Sequence, residues 1–130
     1  MIAKGTFDVT LHPEPPYDDA GGVTLARVRV DKTFTSGPLE ATSTVDMFGA
    51  RTKIPTSAGY VAIERIRGAL DGKRGTFVMQ HSGSMHGGAM SLTVTIVPDS
   101  GTEDLVGIRG SMKIDIKDKQ HFYELDYSFG

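Results

Sequence analysis

The sequence predicts an all-β fold, a closed antiparallel eight-stranded barrel with little or no helix. Three observations lead to this prediction. Apolar and polar residues alternate with a period of two along most of the chain, which is the pattern of half-buried strands. Short turn sequences separate these segments at the spacing of β-hairpins. Glycine occurs 16 times and recurs at intervals, as a chain of strands and tight turns requires.

The alternation defines eight strands, in chain order Gly5–Leu11, Thr24–Phe34, Leu39–Phe48, Gly59–Leu70, Arg74–Gly83, Ala89–Val97, Gly107–Ile116 and His121–Phe129. Turn residues join most of them at hairpin distance, at Ser36-Gly37-Pro38, Asp71-Gly72, His86-Gly87 and Lys117–Gln120. Two connections, His12–Val23 and Gly49–Ala58, are longer and contain proline. Residues 102–105 are expected to form one helical turn capped by Thr102.

Hairpin pairing indicates which side chains share a face, because residues paired across two strands point to the same side of the sheet. A turn at Asp71-Gly72 places Glu64 and His81 on one face, and a turn at His86-Gly87 pairs His81 with Leu92. The strand that contains Leu92 has apolar residues at every second position from Met90 to Ile96. This apolar face is expected to point inward, so Glu64 and His81 are expected inside the barrel.

Two other hairpins give equally consistent inner faces. A turn at Asp118-Lys119 pairs Ile114 with Tyr123, and pairing across the first long hairpin places Val28 opposite Val45. A barrel also removes the exposed edge strands that an open sheet of this size would carry. A two-sheet sandwich is the alternative architecture, because it produces the same alternation.

Length and composition favour one domain over residues 1–130, with a formal net charge of -2. This charge balance gives no reason to expect nucleic acid or an anionic membrane as a partner. Cysteine is absent, which excludes disulfides and thiolate chemistry. No apolar stretch has the length of a signal peptide or a transmembrane helix, so a cytoplasmic location is the default expectation.

Three stretches carry a resemblance to a known family: Gly68–Gly83 with its Gln80-His81-Ser82-Gly83 core, Tyr60–Arg65, and Ser100–Gly110. With them, nearly the whole chain resembles the bacterial domain-of-unknown-function family 3224. The Gly-Thr-x-Asp-Leu-x-Gly-x-x-Gly element is also similar to a stretch of allene oxide cyclases and dirigent proteins, although Glu103 stands where those plant families usually have a small residue. The resemblance implies an allene-oxide-cyclase-like barrel. The plant families steer reactive intermediates inside an apolar cavity, and fold kinship alone does not transfer that role.

A small polar set within an apolar lining is the predicted ligand-binding site. Glu64 and His81 are its central members, and the remaining candidates on the inner face are Ser43, Tyr123, Tyr127, Met79, Phe77 and Leu92. An eight-stranded barrel is wide enough to fill itself with side chains or to hold one small ligand. The leading hypothesis is therefore a barrel that binds a small apolar or aromatic molecule in its interior, without a cofactor and with no catalytic residue assigned.

Two alternatives use the same residues differently. A buried glutamate needs a partner, so Glu64 and His81 form a purely structural pair in one interpretation. In the other they form the acid–base pair of an isomerase or cyclase-like enzyme, because each shifts the pKa of the other. The long connection Gly49–Ala58 is then the candidate lid.

Two further groups of residues bear on binding. His81, Met85, His86 and Met90 would suit copper, but His81 is expected inside and His86 in a turn, so no metal site is predicted. An apolar group on the outer face, Val61, Ile63 and Val78, predicts a homo-oligomer or a structural protein that acts through this surface.

Overall fold

Nine strands form one antiparallel sheet in the computed structural model, which describes residues 1–130. The strands are β1 (Ile2–Pro13), β2 (Asp18–Ala20), β3 (Val23–Ser36), β4 (Leu39–Arg51), β5 (Ala58–Leu70), β6 (Lys73–His86), β7 (Ala89–Ile96), β8 (Ile108–Lys117) and β9 (Gln120–Phe129). They follow the order β1-β9-β8-β7-β6-β5-β4-β3, and β1 then pairs with β3. The predicted eight-stranded antiparallel barrel is confirmed, and the alternative sandwich is wrong.

The eight predicted strands are all present, with ends that differ by three residues or fewer from those expected. The short strand β2 was not expected, because it forms within the proline-containing connection after β1. Gly21 and Gly22 take positive φ angles of 62° and 77°. They turn the chain back so that β2 pairs with the beginning of β3 and lengthens the barrel wall at that end.

Two of the four predicted hairpin registers are confirmed. Glu64 lies opposite Met79, and Ile114 lies opposite Tyr123, as the turn sequences indicate. The other two pairings were wrong by two residues. Because β3 continues to Ser36, the turn before β4 is Gly37-Pro38, and the turn between β6 and β7 is Gly87-Gly88. Val28 therefore lies opposite Met47, and His81 lies opposite Val94 rather than Leu92. A shift of two residues leaves every side chain on its predicted face.

The barrel wall is weakest between β7 and β8, which are joined by the single pair Thr95–Ser111. After β7 the chain instead runs beside β6. The Val78 N–H donates to the Ser100 hydroxyl at 3.0 Å, and the Thr102 N–H donates to the Thr76 carbonyl at 2.9 Å. These bonds satisfy the β6 backbone on the side where β7 does not reach, since β7 pairs with β6 only from Met79 onward.

The predicted helical turn is present as a 3-10 turn at Glu103–Leu105, but Thr102 does not cap it with its side chain. The Thr102 hydroxyl accepts a hydrogen bond from the Thr76 N–H at 3.0 Å instead. The prediction of a Thr102 cap was therefore wrong, because β6 takes the hydroxyl. The chain contains no helix with the length and apolar character needed to span a membrane.

The two ends of the barrel differ. We call the end with the β5–β6 turn at Asp71-Gly72 the closed end, because the main core fills it with side chains such as Leu70, Phe77, Leu105 and Ile108. We call the end with the β6–β7 turn at Gly87-Gly88 the open end. A second, smaller core of Val30, Val45 and Ala62 lies on the open-end side. This asymmetry sets where a ligand can enter.

Candidate functional site

A buried polar cluster lies inside the barrel around Glu64, which is 0% exposed. His81 Nε2 lies 2.8 Å from Glu64 Oε1, so the predicted contact between these residues is present in the structure. The Ser43 hydroxyl donates to Glu64 Oε2 at 2.6 Å. The Lys32 ammonium donates to Glu64 Oε1 at 3.1 Å. Both carboxylate oxygens are therefore occupied by protein donors.

Four adjacent strands each supply one member of the polar cluster. Lys32 on β3 pairs directly with Ser43 on β4, while Glu64 and His81 come from β5 and β6. Alternation places all four on the inner face. Lys32 is not among the predicted site residues, although Val28 is apolar and inward in the same strand and Lys32 follows at an even spacing. The alternation pattern therefore predicts that Lys32 points to the inner face.

Competing effects determine the pKa of Glu64. Burial on its own would raise this pKa, but the hydrogen bond with His81, the positive charge of Lys32 and the hydrogen bond from Ser43 outweigh it. Together they lower the Glu64 pKa from 4.5 to about 2. Glu64 is thus an ionised carboxylate at neutral pH, paired with a buried ammonium that also lies 4.8 Å from the centroid of the Phe7 ring.

The remaining predicted site residues make no hydrogen bond to this cluster. Phe77 and Met79 are 0% exposed and pack in the main core. The Tyr123 hydroxyl donates to the Ser36 carbonyl at 3.2 Å and accepts from the Leu39 N–H at 3.2 Å, so it fastens the β3–β4 turn. These contacts fix the main core and the β3–β4 turn.

Tyr127 fastens the closed end of the barrel. Its hydroxyl donates to the Asp71 carboxylate in the β5–β6 turn. Burial, together with this hydrogen bond and the negative charge of Asp71, raises the pKa of Tyr127 to about 12. Tyr127 therefore stays protonated and acts as a donor across the turn.

The prediction that Leu92 and Met90 line the packed interior was wrong. Both were expected to pack inside with Val94 and Ile96, which are buried, but Leu92 is 38% and Met90 65% exposed. The reason is the sparse pairing of β7 with β8, which leaves the first half of β7 without a neighbour on that side. Leu92 therefore does not belong to the packed interior.

A cleft of about 430 Å³ opens at the open end of the barrel. β3–β7 and the start of the β1–β2 connection form its walls. It is lined by Pro13, Glu14, Pro16, Thr24, Ala26, Val28, Met47, Gly49, Ala50, Arg51, Ala58, Gly59, Tyr60, Gly83, Ser84, Met85 and Met90. Its volume falls within the range of small-molecule pockets.

The cleft does not include the predicted polar cluster. Along β3, β4 and β5, one residue of the smaller core, Val30, Val45 or Ala62, separates each cleft residue from the cluster below. The structure thus brings Glu64, His81 and Ser43 together as predicted, but it places the accessible space one layer closer to the open end.

Apolar side chains continue around the open end beyond the cleft. Leu11 pairs with the buried Val30, and Ile116 pairs with His121, whose ring stacks 5.1 Å from that of buried Phe7. Paired residues share a face, so Leu11 and Ile116 point to the interior side. They are nevertheless 60% and 59% exposed. The mouth of the barrel therefore exposes apolar side chains.

The predicted lid is shorter than expected. β4 continues through Arg51 and β5 begins at Ala58, which leaves residues 52–57 as the connection. The Thr52 hydroxyl lies within hydrogen-bond distance of the Ile54 carbonyl at 3.0 Å and the Ser57 carbonyl at 2.9 Å, and it accepts from the Ile54 N–H at 3.1 Å. The Gly88 N–H on the neighbouring turn donates to the Thr56 carbonyl at 3.2 Å. These bonds hold the connection beside the cleft.

The structure contains no group of three or more His, Cys, Asp or Glu side chains arranged to hold a metal ion.

On the outer face, Val61 and Ile63 are 56% and 54% exposed, while Val78 is half-buried. The homo-oligomer expected from this outer patch stays a prediction.

Comparison with known proteins gives a family and a fold. The sequence profile of DUF3224, described as a protein of unknown function, matches residues 3–127. A crystal structure of a protein of unknown function from the DUF3224 family of Shewanella oneidensis MR-1 superposes with a TM-score of 0.95. The two chains are 46% identical, over 100% of this chain and 97% of the other. No curated protein matches the chain.

Proposed function

The chain belongs to the DUF3224 family of proteins of unknown function, and on that premise we propose that it binds a small apolar or aromatic molecule in the cleft at its open end. The observation that carries the proposal is the cleft itself, about 430 Å³ in volume with an apolar floor. Val28, Met47 and Tyr60 form that floor together with small residues. Burial of an apolar ligand there would release water from both surfaces.

The exposed apolar mouth supports the same proposal. Leu11, Met90 and Ile116 point to the interior side yet lie in solvent. Exposed apolar side chains gathered at one end of a barrel are consistent with a binding site there. A ligand in the cleft would cover part of it, and each methylene buried contributes about 0.8 kcal/mol.

The acid–base alternative receives less support from the geometry. A catalytic carboxylate has to reach its substrate, whereas Glu64 is fully buried and bonded to Lys32, Ser43 and His81. Its lowered pKa also makes it a weak base. We therefore propose a binding function, with Glu64 and His81 as the structural support beneath the cleft.

A dye titration tests the proposal. N-phenylnaphthylamine is a neutral aromatic probe whose fluorescence rises in an apolar environment, and we expect it to bind the wild-type protein at micromolar concentration. Ala26 lines the cleft, so Ala26→Phe fills the space and should weaken dye binding about tenfold or more. The melting temperature of each variant shows that it is folded.

The matched control is Ala20→Phe, which makes the same substitution at an exposed position of β2 outside the cleft. We expect this variant to bind the dye like the wild type. If the wild type does not bind, or if both variants bind equally well, the proposed binding site is wrong.

A further inference from the structure

Tyr60 differs from the other polar side chains that line the cleft. Glu14, Arg51 and Ser84 are exposed at the rim, and the Thr24 hydroxyl donates to Asp19 at 3.3 Å. Tyr60 is half-buried, and its hydroxyl has no hydrogen-bond partner in the protein. It is therefore the polar group within the cleft that remains free to bond to a ligand.

The two neighbouring strands make room for the Tyr60 ring. Tyr60 pairs with Gly49 on one side and with Gly83 on the other, and both glycines line the cleft. A Cβ at Gly83 would lie 2.4 Å from the ring edge of Tyr60, closer than any real contact. The ring thus lies across Gly83 on the inner face of the wall. It can lie there because Gly83 has no side chain to occupy that space.

Tyr60 also has the protonation state of a hydrogen-bond donor. Burial raises its pKa, and the negative charge of Glu64 below raises it further. The phenol stays protonated at neutral pH, so it can donate to an acceptor on a ligand.

The charges around the cleft favour a neutral ligand. Lys32, which lies below the floor on β3, is already paired with Glu64 at 3.1 Å, and Arg51 is exposed at the rim. A carboxylate bound against the apolar floor would lose its hydration without gaining a buried cation, which is costly. A neutral acceptor such as a carbonyl carries a much smaller desolvation cost.

From these observations we infer that Tyr60 donates a hydrogen bond to the carbonyl oxygen of a neutral, apolar or aromatic ligand. The inference rests on the proposed binding function and names its ligand class. The ring and the apolar floor hold the hydrocarbon part of the ligand, and the hydroxyl selects the molecules that carry an acceptor at the right depth.

Three probes of nearly equal shape test this inference: acetylnaphthalene, the isosteric hydrocarbon isopropenylnaphthalene, and naphthoate, all substituted at the same ring position. We expect Tyr60→Phe to weaken acetylnaphthalene binding roughly three- to tenfold, the loss of one neutral hydrogen bond. It should leave isopropenylnaphthalene binding unchanged, and naphthoate should bind the wild type more weakly than the ketone. The infrared carbonyl stretch of bound acetylnaphthalene should shift to lower frequency in the wild type and lose that shift in Tyr60→Phe.

The control is Tyr17→Phe, which removes the hydroxyl of a tyrosine that is 61% exposed and outside the cleft. It should change none of the affinities. If the probes bind but Tyr60→Phe affects the ketone and the hydrocarbon equally, or if naphthoate binds as tightly as the ketone, the inference is wrong and the proposed function stands. If no probe binds to the wild type, the proposed function fails as well.

Discussion

At the scale of single residues, Lys32 determines what kind of interaction holds the buried polar cluster together. Hairpin pairing correctly placed Glu64 and His81 together, because one turn sets their relation. The pairing of β5 with β6 carries no information about Lys32, which reaches the cluster from β3 through the curvature of the barrel. Without Lys32 the group is Glu64 hydrogen-bonded to His81 and Ser43, and with it the group contains a buried ion pair at 3.1 Å.

Glu64→Gln therefore tests the role of this ion pair. A pair of Glu64 and His81 alone would make the change mild, but here it leaves the Lys32 ammonium buried without a counter-charge. We expect a loss of about 3–5 kcal/mol in the free energy of unfolding, measured by urea denaturation. Adding Lys32→Met should restore part of that loss, since the double variant buries no charge.

The exposed Glu40→Gln on β4 is the control for this substitution, and its effect should stay within about 0.5 kcal/mol. Losses from Lys32→Met and Glu64→Gln that simply add would show that the two side chains do not interact in the folded protein.

The lowered pKa of Glu64 predicts a specific pH dependence of stability. The carboxyl titrates near 4.5 in the unfolded chain and at about 2 in the folded protein. Its contribution is therefore fully present above pH 4.5 and is lost as the pH falls toward 2. The shift corresponds to about 3 kcal/mol. Urea denaturation between pH 2 and 7 should show this loss of stability at acid pH in the wild type. Glu64→Gln should lack the part of the loss that comes from Glu64. Equal acid losses in both proteins would mean that Glu64 has an ordinary pKa.

At the scale of elements, turn chemistry set the limit of what could be predicted. Asp71-Gly72 and Asp118-Lys119 form the expected two-residue turns, so both registers were right. Between β6 and β7 the choice lay between two neighbouring dipeptides, His86-Gly87 and Gly87-Gly88, and the second makes the turn with two positive φ angles. Local sequence allows several acceptable turns at such a place, and the pairing of the whole strand selects one.

Gly75 provides the test at this scale, because it lets the segment after β7 pack against β6. A Cβ at Gly75 would lie 2.2 Å from the Thr102 carbonyl oxygen, which is backbone and cannot move freely. We expect Gly75→Ala to lower the free energy of unfolding by about 1–3 kcal/mol. The matched control Gly59→Ala meets its nearest atom at 3.7 Å and should be nearly neutral. Equal effects of the two substitutions would mean that this packing does not stabilise the barrel.

At the scale of the whole molecule, the alternation of the sequence predicts a closed barrel but not an open end. Alternation reports the face of each side chain, and Met90, Leu92 and Ile116 do face the interior side. Their exposure depends on how far β7 and β8 diverge, with only Thr95–Ser111 paired. That divergence is a property of all eight strands together. For this reason the predicted site lay in the packed interior, while the cleft lies above it.

The methionine methyl groups offer the most direct measurement of ligand binding in the cleft. Of the six methionines, Met47, Met85 and Met90 line the cleft, whereas Met1, Met79 and Met112 lie elsewhere. With methyl-labelled methionine, N-phenylnaphthylamine should shift the NMR signals of the first three and leave those of the second three in place. Shifts confined to Met1, Met79 or Met112, or no shifts at saturating probe, would contradict a binding site at the open end of the barrel.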